Sequence, residues 1–121
     1  MKKYKITLNR NQLVVLSEAC EMLARLHAGQ WKTVLDDQFR FKYKNLYKKM
    51  DDVFYKKIAE CKKQVLGLED NESWGIMHSN MHRSADTAWD LYQITRIPLG
   101  DTRTVFRTDK KNVPAKVEEV K

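Results

Sequence analysis

The sequence predicts a mainly α protein: a three- to four-helix bundle with short N- and C-terminal strands. Three observations lead there. Apolar residues recur every three or four positions through long stretches of the chain. The middle of the chain holds no alternating apolar–polar run. The two stretches that do alternate, residues 3–8 and 102–108, lie near the chain ends.

A chain of 121 residues suits one domain with a modest core. We read residues 1–108 as a single helical domain and 109–121, with Pro114 and mixed charge, as a C-terminal tail. Hydrophobic residues make up 42% and charged residues 32%, which argues against both disorder and a membrane protein. No apolar run approaches the ~20 residues of a membrane-spanning helix. The first ten residues are basic but lack the apolar core of a signal peptide, so the expected location is the cytoplasm.

In residues 3–8, Tyr4, Ile6 and Leu8 alternate with Lys3, Lys5 and Thr7, the pattern of a half-buried strand. Asn9 or Asn11 can cap the first helix, along which Leu13, Leu16, Cys20, Leu23 and His27 recur at helical spacing. Gly29 interrupts that helix, since glycine costs about 1 kcal/mol relative to alanine in a helix interior. Trp31, Val34 and Leu35 make a second short amphipathic piece.

Residues 41–68 form the longest periodic segment. Tyr43, Leu46, Tyr47, Met50, Val53, Phe54, Ile58, Cys61 and Val65 draw a continuous stripe, and lysines 42, 44, 48, 49, 56, 57, 62 and 63 fill the other faces. Either a solvated face or a phosphate-tracking surface fits that pattern. Gly67 can cap this helix. The loop 69–80 follows, long enough to suggest a functional role. Ser79, Asn80 or Ser84 can cap the last helix, where Ala85, Ala88, Trp89 and Tyr92 share one face and Leu91 and Ile94 another. Ala85 and Ala88 are small enough to admit a close neighbouring backbone. Pro98 and Gly100 end it.

A net charge of +7 points to an anionic partner: a nucleotide, a nucleic acid or an acidic protein surface. Cys20 and Cys61 are expected to be buried free thiols, since they lie too far apart in sequence for a zinc motif. His78 and His82 stand four apart but lack a third ligand, so no metal is expected. A helix start favours anions, and His78, His82 and Arg83 sit beside one. Trp74 can stack on a base. Alternatively, Trp74 packs on the core and the histidines are ordinary surface residues. The chain has neither a nucleophile elbow nor a glycine-rich phosphate loop, so we expect no enzyme and no cofactor.

Two stretches carry a family resemblance. One is Arg25-Leu26-His27-Ala28-Gly29-Gln30-Trp31. The other runs from Ser73-Trp74-Gly75-Ile76 through His78-Ser79 to Trp89-Asp90-Leu91-Tyr92-Gln93-Ile94-Thr95-Arg96. Together they resemble a family of small phage and prophage proteins. The chain departs from that pattern at Asn80-Met81, where the family has proline followed by an acid, and at Ile97, where histidine is common. The resemblance implies that Arg25, Gln30, His78, Asp90, Gln93 and Arg96 converge in one pocket, or that Arg25 and Asp90 form a buried structural pair. A phage origin implies a protein acting in an infected bacterial host, either blocking host defences or regulating phage genes.

These lines give a functional expectation. The chain would be a phage anti-defence protein that sequesters an anionic nucleotide-like signal without cleaving it. Its ligand-binding set would be Arg25, Gln30, Trp74, His78, His82, Arg83, Gln93 and Arg96, with Arg96 foremost because a guanidinium fork suits phosphate. The alternative is a binder of a host defence protein or nucleic acid through the lysine-rich face of 41–65. Wide apolar stripes also predict a homodimer or higher homo-oligomer.

Overall fold

A computed structural model describes residues 2–100 and 115–120, and within them the chain is mainly helical. Helix α1 spans Arg10–Ala28, α2 Trp31–Leu35, α3 Asp52–Leu66 and α4 Ser84–Arg96. A π-helical turn (Asp36–Arg40) and a 3-10 turn (Lys44–Leu46) lie between α2 and α3, and a 3-10 turn (Ile97–Leu99) follows α4.

Local chemistry explains most boundaries. The Asn9 side chain accepts the Gln12 N–H while the Gln12 side chain accepts the Asn9 N–H, a reciprocal capping box at the start of α1. Gly29 ends α1 at φ +91°, a left-handed conformation in which a Cβ would meet Leu68 Cδ1 at 3.0 Å. The Gly29 and Gln30 N–H groups then fold back on the carbonyls of Leu26 and Arg25. Asp51 caps α3 through the Phe54 N–H, and Gly67 closes it.

The most extensive packing sets α1 against α4. The two run antiparallel: Ala28 packs with Ala85, Arg25 and Ala24 share a cleft with Trp89, and Glu21 reaches Tyr92. Small residues make this approach possible. Ser17, Ala24 and Ala28 on α1, and Ala85 and Ala88 on α4, are all buried. The expected closeness at Ala85 and Ala88 is thus found, and the buried α1 residues are small ones rather than the leucines of the stripe, of which Leu13 and Leu16 are half-buried and Leu23 is 41% exposed. A stripe of alanines carries little hydropathic signal yet permits the shorter interaxial distance.

Several expectations are corrected. Residues 3–8 form no strand. Tyr4 is 86% and Ile6 72% exposed, and alternation alone cannot make a strand where no second strand among the described residues satisfies its backbone groups. The strand expected at 102–108 lies outside the described residues, as does most of the tail, of which 115–120 have no regular structure. The 41–68 stripe is not one helix. The Asp51 cap starts α3 afresh, and of the stripe only Met50 is buried; Tyr43, Tyr47, Val53, Cys61 and Val65 are exposed. Cys61 is therefore not a buried thiol, whereas Cys20 is half-buried, and burial pushes its thiol up from the ordinary value. Lys62, assigned to a polar face, is buried at 4%.

Candidate functional site

The site forms where the end of α1 meets the loop that enters α4. The turn at Gly29 brings Gln30 over Arg25. The Gln30 N–H donates to the Arg25 carbonyl at 2.9 Å, and Arg25 Nη1 donates to the Gln30 side-chain oxygen. The spacing Arg-x-x-x-Gly-Gln thus has a mechanical meaning: a left-handed glycine folds the glutamine back onto the arginine one turn earlier. Glu21 lies 3.7 Å from Arg25 Nη2, and Arg25 Nε is buried without an acceptor.

The loop is pinned from both sides. The Trp74 N–H donates to the Ala28 carbonyl at 2.8 Å, and the indole packs with Ile76 against Ala28, Met81 and Ala85. Buried Lys62 donates to the carbonyls of Asp70 and Glu72. Further along, the Met77 N–H donates to Asp86 Oδ1 at 2.8 Å, which ties the loop to the first turn of α4 and holds Met77 at φ +72°. A cleft of about 250 Å³ results, lined by Ala24, Arg25, Gln30, Trp74, Ile76 and Trp89, with Ala28, Ser73 and Gly75 completing it. It combines one guanidinium with two indoles.

The predicted residues divide around this cleft. Arg25, Gln30 and Trp74 line it. His78 stacks on Trp74 with centroids 5.6 Å apart and planes 15° from parallel. His82 lies in a second, broader groove of about 640 Å³ with Leu23, Leu26, Trp31, Val65 and Trp74, which lines both. Both histidines also shape the loop. His78 Nδ1 accepts the Asn80 N–H and His82 Nδ1 the Ser84 N–H, each at 3.1 Å. The N-cap position of α4 is Arg83, with no side-chain cap, so none of Ser79, Asn80 or Ser84 caps the helix; the His82 ring takes up the Ser84 N–H instead. Arg83 is exposed at the position before Ser84, and Gln93 is buried in α4 outside the cleft lining.

Arg96 is set apart from the cleft. It does not line the cleft, and Trp89, the α4 residue that does, precedes it by seven residues, about 10 Å along the axis. Its guanidinium lies 4.1 Å from the Tyr92 ring centroid, and its Nη1 donates to the Tyr92 hydroxyl at 3.1 Å. Burial raises that hydroxyl above the ordinary tyrosine value, Glu21 adds to the rise, and Arg96 opposes it. The alternative pair of Arg25 with Asp90 is not formed. Glu21 is the acid beside Arg25, while Asp90 is buried at 3% on another side of α4.

Trp89 and Glu21 were missed as site residues. Trp89 was readable from its spacing, four residues after Ala85 on the face that meets α1. Glu21 was not, because its role depends on which helix comes alongside. Among the described residues no group of three or more His, Cys, Asp or Glu could hold a metal ion. No helix of these residues is long and apolar enough to cross a membrane. In comparisons with known proteins, no family model, no characterised protein and no solved structure matches this chain.

Proposed function

We propose that this chain is a phage anti-defence protein that binds a host nucleotide signal and holds it without cleaving it, in the cytoplasm of the infected cell. The observation that carries the reading is the Arg25 cleft, which Arg25 lines together with Trp74 and Trp89. A guanidinium fork recognises phosphate oxygens, and indole faces stack on bases of any identity. Gln30 and Glu21 orient the Arg25 fork, and the unused Nε marks it as incompletely satisfied within the chain. The +7 net charge draws an anion towards the protein. The resemblance of its motifs to those of small phage proteins supplies the proposed biological setting.

The same reading makes the chain a homodimer or larger. Val15, Leu23 and Leu26 lie on one outer face of α1, and all three are exposed, as is Val65 of α3 beside them. Among the described residues no large side chain is fully buried. A second copy is the simplest cover for such a face.

Calorimetry of the full chain against linear and cyclic nucleotides tests the proposal. Stoichiometric binding is expected, with the ligand recovered intact after heating and affinity lost in Arg25→Ala. Arg96→Ala should weaken binding less, because Arg96 is engaged with Tyr92. No heat with any nucleotide, together with retention of a host protein, would overturn it.

A further inference from the structure

The segment joining α2 to α3 has a composition unlike the rest of the chain. From 38 to 50 it reads Gln-Phe-Arg-Phe-Lys-Tyr-Lys-Asn-Leu-Tyr-Lys-Lys-Met. It holds five cations, four aromatic residues and no acid. The apolar spacing places Tyr43 and Tyr47 on the stripe of a helix running from 41 to 68. Instead the π-helical and 3-10 turns splay the rings outward: Phe39 is 46%, Phe41 63%, Tyr43 55% and Tyr47 55% exposed.

These side chains are arranged as a platform. The Phe39 and Tyr43 rings lie 6.3 Å apart and 21° from parallel. An open recess of about 530 Å³ beside them is bordered by Leu46 and rimmed by Lys42 and Lys44. The Arg40 guanidinium sits 4.2 Å from the Tyr47 ring centroid, and Asp36 holds it from the other side at 3.8 Å. Lys42 is tethered by Glu18 and Gln38, each at 3.1 Å. Lys44, Lys48 and Lys49 are exposed.

We propose that residues 38–50 bind single-stranded nucleic acid, with bases stacked on the exposed rings and phosphates neutralised by the surrounding lysines. Aromatic faces interleaved with cations are the combination that non-specific single-strand binding requires. A second copy of the chain is a poorer occupant, because a twofold contact through this segment sets lysine against lysine. This site is separate from the Arg25 cleft and takes a polymer rather than a single nucleotide.

Fluorescence anisotropy of the full chain with labelled oligo-dT and oligo-rU of about a dozen nucleotides, one OB-fold-sized site, provides the test. Affinity should fall with salt. Replacing Lys44, Lys48 and Lys49 together by alanine should flatten the logarithmic salt slope by about two. Phe41→Ala and Tyr43→Ala should each weaken binding by roughly five- to a hundredfold with the slope unchanged. All five positions are exposed, so circular dichroism should show unaltered helix. Arg25→Ala should leave oligonucleotide affinity intact, which separates this site from the cleft. The proposal is overturned by no binding up to about 100 µM, the weak end of non-specific association. It is equally overturned by affinity indifferent to the rings, by loss on Arg25→Ala, or by capture on anionic phospholipid vesicles without any oligonucleotide binding.

Discussion

The Lys62 ammonium lies 3.0 Å from the carbonyl oxygen of Asp70, inside the protein rather than on its surface. It also donates to the Glu72 carbonyl, so one α3 side chain supports the backbone that delivers Trp74 to the cleft. Lys62→Met keeps the stem and removes the donor. Hydrogen bonds from a charged group contribute about 1.5–3 kcal/mol each, and two carbonyls lose their partner together. We expect a loss of about 2–3 kcal/mol in urea unfolding. Exposed Lys57→Met should change stability by no more than about 0.5 kcal/mol. Equal effects from the two would show that Lys62 is not a strut.

Gly29 is tested by comparison with Gly67. Both are left-handed, at φ +91° and φ +73°, so alanine at either costs roughly 1–2 kcal/mol of backbone strain. Only at Gly29 does the new methyl meet neighbours, Leu68 Cδ1 at 3.0 Å and Lys62 Cε at 3.3 Å. Gly29→Ala should therefore be the more destabilising of the two, and it alone should weaken nucleotide binding, because it shifts Gln30 off Arg25. Matching denaturation midpoints for both variants would contradict this.

Tyr55 should ionise late. Burial first, then the hydrogen bond to Asp36 and that carboxylate's charge, together push its hydroxyl up to about 12, with Arg40 pulling the other way. The folded value exceeds the ordinary value of 10.0, so the folded state keeps the proton after the unfolded chain has lost it. Its contribution to stability is complete below the ordinary value and is lost as pH rises towards 12. Ultraviolet titration should show a late phenolate phase that Tyr55→Phe diminishes, since Tyr92 is raised as well. A phase unaffected by that change would assign it elsewhere.

Assembly should depend on the outer face of α1. Leu23→Glu combined with Leu26→Glu places two charges on the exposed apolar face without touching the α4 contact. Sedimentation velocity is expected to show a dimer or larger species for the parent chain and a monomer for the double variant. A monomeric parent at every accessible concentration would remove the assembly from the reading.

Much of the fold can be read locally. The Asn9 cap and the stops at Gly29, Gly67 and Gly100 follow from nearest neighbours along the chain, because capping and left-handed backbone are decided within a few residues. The path between α2 and α3 does not. Its rings keep a helical period, but whether that period becomes a helix depends on what is available to bury it. Here the chain turns through Asp36–Arg40 and Lys44–Leu46 and leaves the rings outside.

The site divides in the same way. The partnership of Arg25 with Gln30 was implicit in the glycine between them, a local matter of one turn. The meeting of Arg25 with Trp74 and Trp89, the burial of Lys62 and the separation of Arg96 from the cleft were decided only when α4 packed antiparallel on α1. The physical reason is range. A cap or a turn is settled by groups a few residues apart. A pocket, or the inside of a lysine-rich helix, is settled by which distant surface arrives against it, and residue spacing alone does not record that.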